Sequence, residues 1–169
     1  MTSDLNGVNL GAIGSLVEKI REQPGAAKTE WKSEVRWTGG FRSESRSRNL
    51  PAAASDEPAG LGGGDTAANP VEQLLAALGN CLAVGYAANA SVMGIEMRSL
   101  KIDLDGTIDM HTFLGLGGDN AGYDTIHAKV AIDADASPEK IRELHQKVVG
   151  SSPVGHTLAR AVQVQIDLA

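Results

Sequence analysis

The chain holds a single cysteine, Cys81, and a thiolate is a strong nucleophile. Cys81 lies in NPVEQLLAALGNCLAVGYAANA, a stretch from Asn69 to Ala90 that is apolar nearly all round. Two interpretations are open. A free cysteine is often a small buried apolar side chain without chemistry. A cysteine becomes reactive when a nearby positive charge favours its thiolate form. The helix dipole cannot provide that charge here, because Cys81 lies too far from the start of the helix.

Arginines before this helix could supply the missing charge. They lie on two predicted strands, and the alternative is that they form a solvated face of a sheet. The four candidates are Arg36, Arg42, Arg46 and Arg48.

Glu72 stands at the start of the predicted helix, at the third position of a capping box that begins at Asn69. It precedes Cys81 by nine residues, which is about 180° of rotation and roughly 13 Å of rise on a straight helix. Glu72 therefore cannot touch Cys81 directly. It could instead orient an arginine that reaches the sulfur.

Ser152 and His156 would share a face if PVGHTL is helical, which suggests a nucleophile and its base. No GxSxG elbow is present, and the alternative is that Ser152 caps a helix before Pro153.

The other histidines, His111, His127 and His145, lack metal-ligand spacing, and GLGGGD lacks the Lys-Ser/Thr of a phosphate-binding loop. The sequence therefore predicts neither a metal nor a cofactor.

Periodicity and turn residues predict the elements that position these groups. One helix should end near Pro24, a long one should run from the Asn69 cap to about Val92, and a third should lie between Ser137 and Gly150. SPVGHTLAR predicts one or two further helical turns. Strands are expected around 34–38, 41–48, 100–104, 126–132 and 162–168, with a loop over 49–68 that has room for a short strand. Half-polar strands beside segregated helices predict an α+β fold with antiparallel sheets.

Composition narrows the class of protein. A chain of 169 residues predicts one domain, and a net charge of −6 argues against nucleic acid as a main partner. A single cysteine forms no intrachain disulfide, so no oxidising compartment is needed. We see no secretory signal and no apolar run long enough to span a membrane, so we expect a cytoplasmic protein.

Several stretches together resemble the OsmC/Ohr family, the osmotically inducible and organic-hydroperoxide-resistance proteins. NPVEQLLAALGNC resembles the family's cysteine helix, and DEPAGLGGGDTAANP resembles the approach to it. GSSPVGHTL followed by AVQVQIDL is similar to the family's C-terminal end, and the RWTGGFRS hairpin fits too. The resemblance divides the chain into an N-terminal helical extension, 1–30, and an OsmC-like domain, 31–169.

The resemblance implies an intertwined homodimer, with antiparallel sheets around two long helices, that reduces organic hydroperoxides. It implies that Cys81 attacks the peroxide, that Arg42 holds the thiolate and that Glu72 orients the arginine. Two departures stand out. The family's resolving cysteine is replaced by Ser152, and the position directly after Asn-Pro, where the hydroperoxide-resistance branch has its glutamate, is held by Val71.

Three hypotheses follow. The first is a one-cysteine peroxidase, reset by an external thiol, whose apolar wall favours hydrophobic peroxides; that wall would consist of Leu74, Leu75, Leu78 and Leu82. The second is a non-peroxidatic OsmC-like protein that binds a small ligand in the same pocket. The third, a hydrolase using Cys81 or Ser152 with His156, lacks an identifiable orienting residue.

Overall fold

The computed structural model describes residues 4–168, so residues 1–3 of the predicted extension and residue 169 lie outside the described part. The chain divides into two compact units. One runs from Gly11 to Leu74, and the other joins the described residues up to Leu10 to those from Leu75 onward.

The Gly11–Leu74 unit contains most of helix α1 (Leu10–Glu22) and a three-stranded sheet. Its strands are β1 (Glu34–Gly39), β2 (Arg42–Arg46) and β3 (Ala53–Ser55), antiparallel in that order. The turn between β1 and β2 is made by glycines with positive φ, as a tight hairpin requires. The predicted first helix, the hairpin and the short strand are thus confirmed.

The two faces of this sheet differ in chemistry. Arg36 lies opposite Glu44 on one face, and Trp37 lies opposite Ser43 on the other. The alternation in β1 predicts a strand with one buried face. In a single chain that prediction is wrong, because the face is exposed. Val35 is 65% exposed and Trp37 is 75% exposed, because no described part of the chain covers their face.

The other unit contains most of the long helix α2 (Pro70–Val92), whose first turn belongs to the Gly11–Leu74 unit. Strands β4 (Met97–Ile108) and β5 (Tyr123–Ala134) form an antiparallel pair, and helices α3 (Pro138–Ser151) and α4 (Pro153–Leu158) follow. Gly94, at a φ of 68°, ends α2, and Ser137 caps α3 through the Lys140 amide. These predicted elements are confirmed, with both strands longer than the sequence indicates.

The core of this unit centres on one stripe of α2. Leu82, Tyr86 and Ala90 recur every four residues and are buried against Leu144 and Val148 of α3. The two helices approach closely at Gly85, where an added Cβ would lie 3.0 Å from a methyl group of Val148. This close approach brings the end of α3 next to the middle of α2.

By length and composition alone, α2 could cross a membrane, whereas the sequence predicted no such segment. Its buried stripe of Leu82, Tyr86 and Ala90 is typical of the central helix of a packed domain. Length and composition are therefore weak evidence for a membrane span here.

The predicted final strand is not formed. Within the described residues, the segment from Val162 to Leu168 joins no sheet, and its apolar side chains are open to solvent, with Ile166 91% exposed. Alternation identifies a chain that can bury one face, but a strand also needs a neighbouring edge with which to exchange hydrogen bonds. Among residues 4–168, the segment pairs with no strand of either sheet.

Candidate functional site

The approach to α2 is a glycine-rich loop built around one buried carboxylate, that of Asp56. It accepts hydrogen bonds from the amides of Glu57, Gly64 and Thr66 and from the Thr66 hydroxyl at 2.8 Å. The Thr66 hydroxyl is the main reason that the pKa of Asp56 lies below its ordinary value, and burial opposes this shift. An added Cβ at Gly63 would lie 1.8 Å from the Glu57 carbonyl oxygen, so only glycine fits there.

The loop delivers the chain to a reciprocal cap at the start of α2. The Asn69 side chain accepts from the Glu72 amide, and the Glu72 carboxylate accepts from the Asn69 amide, both at 2.9 Å. The predicted capping box is therefore confirmed. One Glu72 oxygen is engaged in this cap.

Arg42 lies at the start of β2 and is exposed. Its Nε donates to the Gly39 carbonyl at 3.4 Å. Among the described residues no ion pair joins Arg42 to Glu72, which belongs to the same unit, so the implied clamp stays a prediction. The pairing of Arg42 with Cys81 of the other unit likewise stays a prediction.

The remaining arginines of the predicted cluster are also exposed. Arg36 bonds to Glu34, and this hydrogen bond raises the pKa of its guanidinium. Arg46 lies 3.8 Å from Glu44. These pairs fit the alternative interpretation, a solvated charged face, for Arg36 and Arg46.

Cys81 lies beside the core stripe of α2, and its nearest polar partner is Ser152. The Cys81 Sγ and Ser152 Oγ atoms are 3.3 Å apart. Ser152 joins α3 to α4 and is 5% exposed. Its Oγ also accepts from the Gly155 amide at 3.1 Å, so the predicted cap before Pro153 is confirmed. The structure thus places the serine at the implied resolving position against the cysteine.

Ser152 lines an apolar cavity of about 480 Å³, and Cys81 lies behind it, outside the lining. Ser152 contributes a polar point to its wall, and the leucines predicted to form an apolar wall are represented by Leu78 and Leu82. No sequence pattern indicates the rest of the lining, which comes from β5, α3, α4 and the residues after α4: Ala128, Val149, Gly155, His156, Ala159 and Arg160. A hydrophobic small molecule would match most of this surface.

His156 does not serve Ser152 as a base. Its ring bonds through Nε2 to the Gly150 carbonyl at 3.1 Å, so that nitrogen carries the proton. Among the described residues, no side-chain hydrogen bond joins His156 to Ser152 or to Cys81. The hydrolase hypothesis therefore lacks its nucleophile–base contact.

Sequence reasoning missed a second polar contact in the core of this unit. The buried hydroxyl of Tyr86 bonds to Nδ1 of His145, an exposed residue of α3 expected to be solvated. Burial raises the pKa of Tyr86. The four-residue stripe identifies Tyr86 as a core residue, but no sequence signal joins it to a histidine of another helix.

Metal chemistry finds no support in the described part of the chain. In residues 4–168, no three histidine, cysteine, aspartate or glutamate side chains gather as metal ligands would. His127 is exposed on β5, as predicted.

Comparison with known proteins decides the family. Residues 62–167 match the family model described as OsmC-like protein. This chain belongs to the OsmC/Ohr family. The match spans the end of the loop, the cysteine helix, both strands of the second sheet and the α3–α4 junction, so it includes both Cys81 and Ser152. No curated protein matches the OsmC-like chain in sequence at a significant level.

Solved structures share the fold at low sequence identity. The OsmC-like protein of Mycoplasma pneumoniae is 17% identical, with a TM-score of 0.67 over 78% of this chain and 89% of that one. An organic hydroperoxide resistance protein OsmC of Legionella pneumophila is 16% identical, with a TM-score of 0.54 over 78% and 91%. Organic hydroperoxide resistance protein OhrB of Bacillus subtilis is 19% identical, with a TM-score of 0.51 over 76% and 89%. The predicted OsmC/Ohr-like α+β fold is confirmed.

Proposed function

We propose that this OsmC-like protein reduces organic hydroperoxides through Cys81, which an external thiol then resets. The observation that carries the proposal is the position of Cys81. Its sulfur lies 3.3 Å from a buried hydroxyl that lines an apolar cavity of about 480 Å³. A thiol with a polar partner beside a hydrophobic binding space suits a reaction that needs both a nucleophile and an apolar substrate.

Cys81 is the only cysteine that the chain needs for the reduction of a hydroperoxide. The Cys81 thiolate attacks the distal peroxide oxygen, the O–O bond breaks, and the alkoxide leaves as an alcohol after taking up a proton. Cys81 is oxidised to a sulfenic acid. One external thiol displaces water to form a mixed disulfide, and a second releases the external disulfide and restores Cys81. Because Ser152 cannot form a disulfide, both thiols come from outside the chain.

We propose Arg42 as the cation that favours the thiolate and Glu72 as the residue that orients it. The capping box leaves one oxygen of Glu72 for this contact. A nearby cation favours the thiolate form of a cysteine, and no ion pair holds Arg42 to a carboxylate among the described residues.

We also propose that the protein acts as an intertwined homodimer in the cytoplasm, with residues 31–169 as the OsmC-like domain and residues 1–30 as its extension. The exposed apolar side chains support a second copy as partner. Val35 and Trp37 of β1, Val84 of α2, and the alternating residues of the C-terminal segment are all solvent-exposed in one chain. Burial of these surfaces against a partner would supply the apolar contacts that the alternation in the sequence predicts.

A second function is favoured by the cavity itself. An apolar space with one buried hydroxyl can hold a small hydrophobic ligand without any redox step. In this alternative, Cys81 packs beside the ligand and does not turn over.

The deciding experiment uses mass spectrometry to measure the oxidation state of Cys81 before and after one equivalent of cumene hydroperoxide, with and without dithiothreitol. We expect the gain of one oxygen on Cys81, trapped by dimedone and reversed by dithiothreitol. Stopped-flow peroxide consumption should be faster for the unaltered protein than for Cys81→Ser. Equal rates in the two proteins would exclude the peroxidase and favour the binding protein.

A further inference from the structure

We propose that Ser152 is a catalytic residue that donates its hydroxyl proton to the Cys81 sulfur and so stabilises the reactive thiolate. This inference rests on the proposed peroxidase function. It gives the serine at this position a chemical role of its own.

The other contacts of Ser152 leave its hydroxyl proton available to the Cys81 sulfur. A serine hydroxyl has one proton to donate and two lone pairs to accept with. The Gly155 amide donates to Ser152 Oγ at 3.1 Å, and an amide N–H cannot accept in return. That contact uses a lone pair and leaves the hydroxyl proton free to point at Cys81 Sγ, 3.3 Å away.

Ionisation of Cys81 fixes the direction completely. A thiolate has no proton and can only accept, so in the reactive state Ser152 must be the donor. Ser152 is 5% exposed, which leaves little room for water to take its place. A donor that is already aimed at a developing charge, away from water, stabilises it without reorganisation.

The surrounding backbone holds Ser152 in this position. Its carbonyl accepts from the His156 amide at 2.9 Å, and its hydroxyl caps α4. A Cβ added at Gly155 would lie 3.0 Å from Ser152 Oγ, so the glycine lets its amide approach the hydroxyl closely. The donor is therefore preorganised by contacts to both its side chain and its carbonyl.

During the reaction, the Ser152 hydroxyl stabilises the attacking sulfur and then faces the sulfenic acid that forms on it. The sulfur is oxidised by two electrons, the O–O bond of the hydroperoxide is reduced, and the serine itself is unchanged. Ser152 thus supports the first step of the cycle and leaves the second to external thiols.

The test compares Ser152→Gly, Ser152→Thr and Ser151→Gly. Glycine is an acceptable N-cap, so Ser152→Gly removes the hydroxyl with little loss of helix stability, and threonine keeps the hydroxyl. Ser151→Gly is the matched control, because the Ser151 hydroxyl bonds to the Lys147 carbonyl and is exposed. Two rates are measured at neutral pH: alkylation of Cys81 by iodoacetamide, and single-turnover oxidation by cumene hydroperoxide.

We expect both rates to fall about tenfold in Ser152→Gly, the size of effect that loss of one charge-assisted hydrogen bond produces. Ser152→Thr and Ser151→Gly should stay within about twofold of the unaltered protein, and all melting temperatures should agree within a few degrees. Equal rates in Ser152→Gly and Ser151→Gly, or an equal loss in Ser152→Thr, would overturn the donor role.

The two readouts separate this inference from the proposed function. If alkylation slows in Ser152→Gly but no variant reacts with hydroperoxide, the donor role stands and the peroxidase function fails. If the unaltered protein reduces hydroperoxide and Ser152→Gly does so equally well, the function stands and the donor role fails.

Discussion

Cys81 and Ser152 are 71 positions apart in the chain, yet their Sγ and Oγ atoms lie 3.3 Å from each other. The contact is made where the middle of α2 meets the junction between α3 and α4. It places the single thiol of the chain against a buried hydroxyl, and that hydroxyl belongs to a residue that lines an apolar cavity.

This distance predicts that Ser152→Cys creates a disulfide. After one equivalent of cumene hydroperoxide, the introduced thiol should displace water from the Cys81 sulfenic acid, because the 2.05 Å S–S bond requires only a small side-chain movement at this separation. Mass spectrometry should show loss of two hydrogens and no dimedone adduct. In the control Ser151→Cys the adduct should persist. A dimedone adduct as abundant in Ser152→Cys as in the unaltered protein would contradict the geometry.

The proposed thiolate cation predicts different effects for two arginines of one sheet. Arg42→Ala should lower the single-turnover rate with cumene hydroperoxide by about ten- to a hundredfold, the range for one charge-assisted contact. Arg36→Ala is the control, since Arg36 already bonds to Glu34 and should change the rate less than twofold. Equal losses in the two variants would point to a general effect of positive charge, and no loss in Arg42→Ala would remove Arg42 from the site.

The unpaired C-terminal segment predicts a dependence of oligomeric state on one of its faces. Val164→Lys with Ile166→Lys should convert the proposed dimer to a monomer, since both apolar side chains are exposed in one chain. Gln163→Lys with Gln165→Lys adds the same charge to the opposite face and should leave the dimer intact. Light scattering after size-exclusion chromatography measures both. A dimer that persists in the first variant places the interface elsewhere.

The loop carboxylate predicts a pH-dependent stability. The pKa of Asp56 is lower in the folded chain than its unfolded value near 3.9, so its ionised form stabilises the fold at pH above that value. This stabilisation is lost as the pH falls through the folded pKa. Thermal melting should therefore separate Asp56→Asn from the unaltered protein at pH 6, and the gap should narrow as the pH falls below the ordinary pKa of an aspartate.

Asp65→Asn is the control for this titration, because it removes a carboxylate from the same loop without touching the hydrogen bonds around Asp56. Its melting temperature should follow that of the unaltered protein at every pH. A gap for Asp56→Asn that is constant with pH would show that its carboxylate is not the titrating group.

Adjacent valines of α3 predict a contrast in stability. Val148 is 1% exposed and packs against α2, whereas Val149 is 52% exposed. Val148→Ala should lower the free energy of unfolding by roughly 2–3 kcal/mol, from lost apolar burial and the cavity left behind. Val149→Ala should change it by less than about 0.5 kcal/mol. Urea denaturation of both variants measures the difference, and equal losses would contradict the packing of α3 on α2.

Local patterns in the sequence were sufficient for most of the elements. The Asn69–Glu72 cap, the stop at Gly94 and the Ser137 cap use residues within a few positions of one another, so they can be recognised in the sequence. The alternation in β4 and β5 also predicts an antiparallel pair whose one face is apolar. The segment from Val162 to Leu168 shows the limit, since alternation does not say which edge a strand will join.

The family, the helices, most of the strands and the single thiol can be recognised from residue types and short spacings in the sequence. The surroundings of the thiol depend on how the helices pack. Ser152 faces Cys81, and Tyr86 bonds to His145, because α3 packs on α2 where Gly85 lets the helices approach. Such contacts depend on the packing angle and distance between elements, which no local pattern encodes.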